Sequence, residues 1–169
     1  GDDANPRYRS RLVARQLKAL DRGGGNFFAP APPIEALRAV LSMATTTVKQ
    51  HVPNWNPTSP QRTQISMIDV ARAYFNAQCD PDDPCYVELP AEDADSGSQC
   101  ALLLRHLYGT RRAADGWQEE YSTMLIQDLG FKQGASCPNV FHHAERGIFT
   151  SVHGDDFTLL GYEKDLNWF

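Results

Sequence analysis

Long apolar runs are missing from this 169-residue sequence: none approaches membrane-spanning length, and no secretory leader is legible. The chain is therefore expected to work inside the cell, away from the bilayer. Cysteine is scarce as well. The four present (Cys79, Cys85, Cys100, Cys137) form no C-x-x-C pair and no regular framework, which argues for free thiols over disulfides and against a structural zinc site. His142 and His143 are adjacent, so in a strand their rings point to opposite faces; they make poor co-ligands and read as surface residues. Basic residues vanish over a long interval. No Lys or Arg occurs between Arg72 and Arg105, while Asp80, Asp82, Asp83, Glu88, Glu92, Asp93 and Asp95 crowd the same stretch. No internal repeat is evident.

What is present suits one globular domain with a real core: 41% apolar and 22% charged residues. The net charge of -5 conceals segregation, because six basic residues stand against three acids between Gly1 and Arg22. That arm can meet phosphates although the whole molecule is acidic; it can equally be a solvated polar face.

Along the chain, residues 7–18 read as a strand or short helix with a basic face, and Gly23-Gly24-Gly25 as a loop. Pro32-Pro33 opens a helix whose Ile34, Leu37, Leu41 and Ala44 fall on one core-facing stripe. Residues 51–62, with Pro53, Pro57 and Pro60, form a long loop and a candidate insertion. Gln64 to Val70 reads as a strand, and Cys85–Leu89 with Ala101–Leu104 as a strand pair across an acidic surface loop. Trp117, Tyr121, Met124, Leu125 and Leu129 mark a second amphipathic helix, stopped at Gly130. Strands follow at Asn139–His143, Ile148–Val152 and Phe157–Leu160, joined by turns at residues 145–147 and 153–156. This order predicts an α+β fold, an antiparallel sheet with two helices packed on one face.

Three aspartates carry the chemistry. Asp69 ends a hydrophobic strand, and Asp155-Asp156 sits at a hairpin tip after Gly154, flanked by apolar strands. Adjacent carboxylates brought beside a third are costly unless cations neutralise them, and an oxygen-only pocket suits Mg²⁺ bridging phosphates. On pattern alone the alternative is an acidic hairpin tip, as Asp2-Asp3 and Asp82-Asp83 are simple acidic turns.

The wider context resembles reverse transcriptases, those of copia-type LTR retrotransposons in particular. The segment Ile68-Asp69-Val70-Ala71-Arg72-Ala73-Tyr74-Phe75 is similar to the family's first catalytic block. Arg11–Arg15, Phe28-Ala29-Pro30, Tyr86-Val87-Glu88-Leu89-Pro90, Leu107-Tyr108-Gly109 through Trp117, Leu129-Gly130-Phe131 and Cys137–Phe141 follow in the family's order. The resemblance covers nearly the whole of residues 1–169. It implies fingers-like residues 1–62 with a loop insertion and a mainly palm part, residues 63–169, with thumb and ribonuclease H domains absent. It implies a Pol polyprotein fragment acting as an RNA-directed DNA polymerase in cytoplasm, nucleus or a virus-like particle. Its partners would be an RNA template, a DNA primer, deoxyribonucleoside triphosphates and the remaining thumb, ribonuclease H and integrase parts of Pol. Two Mg²⁺ ions, or Mn²⁺ in their place, would be held by Asp69 and Asp155, with Asp156 in support. Tyr74 would lie under the sugar and exclude a 2′-hydroxyl, unless it is an ordinary core aromatic. Arg9 and Arg11 would grip the triphosphate, and Tyr108 and Gly109 would floor the templating pair. Arg72 reads either as a substrate contact or as a surface salt-bridge partner.

Some positions depart from the family pattern: His153-Gly154 replaces Tyr-Val before the aspartates, and Ala114 replaces a proline. Two other readings stand beside the polymerase. One is a decayed, non-catalytic remnant of such an element; the other is a ferredoxin-like module holding RNA on its sheet, which has no use for three carboxylates.

Overall fold

The computed structural model describes residues 5–6, 8, 10–16, 31–45 and 63–169. Its centre is a five-stranded antiparallel sheet ordered β1-β7-β6-β5-β4, built from β1 (Thr63–Asp69), β4 (Lys132–Gln133), β5 (Val140–His143), β6 (Ile148–His153) and β7 (Asp156–Tyr162). The short strands β2 (Tyr86–Glu88) and β3 (Cys100–Leu102) pair in a separate antiparallel ribbon. Among the described residues three α-helices complete it: α1 (Ile34–Thr45), α2 (Ala113–Thr123) and the short α3 (Glu163–Leu166). The coarse α+β expectation therefore holds.

The core follows from strand alternation. Phe157 and Leu159 of β7, Ile148 and Val152 of β6 and Phe141 of β5 are buried in one cluster with Trp117, Tyr121 and Leu125. A single π turn (Met124–Asp128) extends α2 and delivers Leu125. Gly130, at φ 74°, then reverses the chain so that the Phe131 N–H reaches the Leu125 carbonyl at 2.8 Å. The intervening residues of β6 and β7, Ser151, Thr158, Leu160 and Tyr162, are also buried but lie on the other face, outside that cluster. There α1 packs against β1, β6 and β7, with Val40 fully buried. The expectation of both helices on one face is corrected: one helix covers each face. The physical reason is that β7 is apolar or small at every position from Phe157 to Tyr162, so neither face can be left to water.

Smaller differences follow the same logic. The buried stripe of α1 is centred on Val40 with Leu37, Met43 and Ala44 half-buried, while Ile34 and Leu41 face solvent. His143 is buried, edge-on to Phe131 and Trp168, whereas His142 stacks on Phe149 at 4.1 Å; the opposite-face reading holds, the surface reading fails for His143. Residues 11–16 form neither strand nor helix. All four cysteines are free thiols. Arg7, Arg9, Phe28-Ala29-Pro30 and the 51–62 loop lie outside the described residues.

Candidate active site

The antiparallel ladder decides where the aspartates meet. Asp69, last residue of β1, stands directly opposite Asp156, first residue of β7, and Asp156 in turn stands opposite His153 of β6. Residues opposite one another share a face, so Asp69, Asp156 and His153 form one cross-strand row at the end of the sheet. Asp155 occupies the two-residue loop between β6 and β7, its carbonyl accepting the Val70 N–H at 2.9 Å. The sequence reading paired Asp69 with Asp155; the register puts Asp156 beside Asp69 and ties Asp155 to the residue after it. All three aspartates are exposed. Among the described residues, no three His, Cys, Asp or Glu side chains are gathered closely enough to cage a metal ion by themselves.

The turn is shaped by its glycine and anchored by a helix. Gly154 has φ 63° and Asp155 does not share the left-handed region, the pattern of a type II′ hairpin with glycine first. The Trp117 indole N–H donates to the Gly154 carbonyl at 2.8 Å, so the core face of α2 holds the tip that carries Asp155. Thirty-seven residues separate the two, and no local pattern announces the contact.

After β1 the chain turns sharply. Arg72 takes a left-handed conformation (φ 56°, ψ 44°), rare for a side chain with a Cβ, and leads into a 3₁₀ turn, Ala73–Asn76. That bend buries Ala73 and swings Tyr74 back toward the aspartates. Burial, then the neighbouring Tyr108 and Asp155, push the Tyr74 hydroxyl above its ordinary pKa. The Tyr74 and Tyr108 rings lie 4.5 Å apart, Phe75 meets Tyr108 edge-on at 5.7 Å, and the Arg11 guanidinium sits 4.7 Å from the Tyr108 ring centre. Arg11, Tyr108 and Tyr74 thus run as a connected row toward Asp155. Arg72 itself is exposed and joins no salt bridge among the described residues.

Gly109 makes the docking of the N-terminal segment possible. The Ala14 N–H donates to the Tyr108 carbonyl at 2.7 Å, the Gln16 N–H to the Gly109 carbonyl at 3.4 Å, and the Gln16 side chain accepts the Arg111 N–H at 2.9 Å. At φ 88°, any Cβ on residue 109 would run into the Ala14 carbonyl. Sequence reasoning singled out Gly109 for a different purpose and missed Ala14, Gln16 and the anchoring role of Trp117.

Of the sequence-predicted site residues, Asp69, Asp155, Asp156, Tyr74, Tyr108, Gly109 and Arg11 belong to this one end of the molecule. Arg72 adjoins it through its backbone, and Arg9 lies outside the described residues. No helix among the described residues is long and apolar enough to cross a membrane. Comparison of the chain with protein-family models, curated proteins and solved structures finds no match.

Proposed function

We propose that the chain is the fingers-palm part of an RNA-directed DNA polymerase of the copia retrotransposon type, transferring a nucleotidyl group from a deoxyribonucleoside triphosphate to a primer 3′-hydroxyl. The observation that carries the reading is the register of Asp69 opposite Asp156 at the head of the Asp155-Asp156 hairpin. Motifs separated by more than eighty residues in sequence meet there.

The donor chemistry fits Mg²⁺: three exposed carboxylates offer hard oxygen ligands. A three-donor protein cage is not required, since Mg²⁺ is commonly held by one or two carboxylates and completed by water and substrate phosphates. Asp69 and Asp156, with Asp155 next to them, would hold the ions. When bound, these would acidify the primer hydroxyl and offset charge on the triphosphate and leaving pyrophosphate. The protein's own part is positional. Arg11, fixed over Tyr108, offers a guanidinium to phosphate oxygens. Tyr74, wedged between Tyr108 and the core, offers a rigid wall against a 2′-hydroxyl. Trp117 keeps the hairpin tip from drifting. The template, the primer and the rest of a Pol polyprotein are the partners this reading requires.

The test is primer extension on an RNA template with Mg²⁺, run with this chain and with a longer form carrying a thumb segment. Extension is expected in at least the longer form, and Asp69→Asn or Asp155→Asn should remove it with the circular dichroism spectrum unchanged. Full extension by both variants overturns the reading. The second reading, a remnant that folds but no longer copies, takes its support from His153 and Gly154 standing where the family pattern has Tyr-Val. Inactivity of the longer form, with no effect of Mg²⁺ on its melting, would select it.

A further inference from the structure

A cleft of ≈ 960 Å³ lies away from the aspartate hairpin, between the segment Gln78–Tyr86 and the outer face of α2 with its π extension. Its charge is one-sided. Among the described residues, Asp80, Asp83, Asp115, Glu119, Glu120 and Asp128 line it against one guanidinium, Arg112, which is paired with Asp83. Nucleic acid is repelled from such a wall.

A second, independent feature points to a ligand. The His106 imidazole lines the same cleft, is only 8% exposed, and among the described residues no group hydrogen-bonds its ring. Its seat is built: α2 carries Gly116 where any Cβ would run into the ring. Burial, with Arg112 nearby, holds its pKa below the ordinary histidine value, so at neutral pH it offers a lone pair to a donor. The walls also include Tyr86, 60% exposed, and Met124, surfaces on which a flat cation stacks. Planar, donor-rich and cationic describes a guanidinium better than an ammonium.

We propose that this cleft binds an arginine-bearing segment of a partner protein. Its guanidinium groups lie against Asp115, Glu119 and Glu120 and over the Tyr86 ring, and one N–H is accepted by His106. The site is separate from the proposed polymerase site and does not rest on that reading.

The experiment is fluorescence anisotropy of the full chain at physiological ionic strength with a short labelled peptide of alternating glycine and arginine. Its lysine counterpart and spermine serve as competitors. Saturable binding is expected, with both competitors markedly weaker. Glu119→Gln with Glu120→Gln should weaken it about tenfold, since each charged contact contributes modestly. The control pair Glu92→Gln with Glu145→Gln, exposed and away from the cleft, should leave it unchanged. His106→Phe should weaken binding in protein that still unfolds cooperatively. Equal loss in the two double variants, competition by spermine as strong as by arginine peptide, absence of saturation, or unaltered affinity in a folded His106→Phe would each overturn the proposal. Should His106→Phe fail to fold, the exposed glutamate pair decides the matter alone.

Discussion

Like charges directly opposite one another in a ladder destabilise it, and Asp69 faces Asp156 across β1 and β7. In metal-free buffer Asp69→Asn should therefore melt at a higher temperature than the parent. Added Mg²⁺ should raise the parent's melting temperature and leave the variant's almost unmoved, because a ligand stabilises only the state that binds it. A calorimetric scan with and without Mg²⁺ reads this without any activity assay, and equal shifts in both proteins would deny Asp69 a role in holding the ion. Tyr74 permits a sharper test. Half-buried against Tyr108 and the core, it should cost roughly 2–4 kcal/mol when truncated to alanine, short of the 3–5 kcal/mol of a fully buried aromatic. In an active longer form, the same change should raise the ratio of ribonucleotide to deoxyribonucleotide efficiency far more than it lowers deoxyribonucleotide efficiency. An unaltered ratio in a folded protein would leave Tyr74 a packing residue only. Gly109 is constrained by backbone alone. Gly109→Ala should release the Ala14 amide from the Tyr108 carbonyl, seen as lost protection of that amide in hydrogen exchange.

At the scale of elements, the contact between α2 and the β6-β7 hairpin joins the packed core to the candidate site. Trp117→Phe keeps most of the ring packing against Tyr121 and Phe157 but removes the N–H donated to Gly154. The loss should be about 0.5–1.5 kcal/mol in chemical denaturation, the net worth of one such bond. Any accompanying fall in primer extension should exceed what the fold's stability explains, since the tip carrying Asp155 is then held less tightly. Element boundaries were largely legible because periodicity and punctuation agreed: Gly130 ended the second helix, and Gly154 made the tight hairpin. The stripe of α1 was less legible. A helix with Ile, Leu, Val, Met and Ala around more than half its circumference does not declare which of them will meet the sheet. Contact with three strands centred the buried face on Val40.

Across the whole molecule, α2 is knitted to the sheet by an aromatic cluster around Tyr121. Its ring meets Trp117, Phe141 and Phe157 edge-on, and its hydroxyl accepts a hydrogen bond from the buried Asn139 amide at 3.3 Å. Burial pushes the Tyr121 pKa up to about 12, the Asn139 hydrogen bond only partly opposing it. The folded state therefore holds this proton after the unfolded chain has lost it. The stabilisation is complete below about pH 10 and is lost as pH rises toward 12. Tyr121 should contribute a fall no steeper than about 1.4 kcal/mol per pH unit across that window. Tyr121→Phe should show a flatter alkaline limb than the parent in urea unfolding measured at successive pH values. Identical limbs would place the residue's hydroxyl in water.

By itself the sequence determined the alternation of helix and strand, the tight turn at Gly154-Asp155, the free state of the thiols and the list of residues worth watching. These are local matters, set by backbone sterics and by the spacing of apolar side chains over a few residues. Even the two-sided burial of β7 was written in Phe157-Thr158-Leu159-Leu160-Gly161-Tyr162, which has no polar face to give to water. Only the tertiary structure decided that Asp156 and not Asp155 stands opposite Asp69, because register depends on pairing between strands nearly ninety residues apart, and a slip of one would exchange their faces. It alone brought Trp117 to Gly154, Ala14 to Gly109 and His106 to Gly116, contacts that require a shape no short window of sequence contains. And it alone gathered the carboxylates of α2 and of the Asp80–Asp83 turn around one cleft: charges scattered along a chain acquire a field, and a ligand preference, only when folding sets them on facing walls.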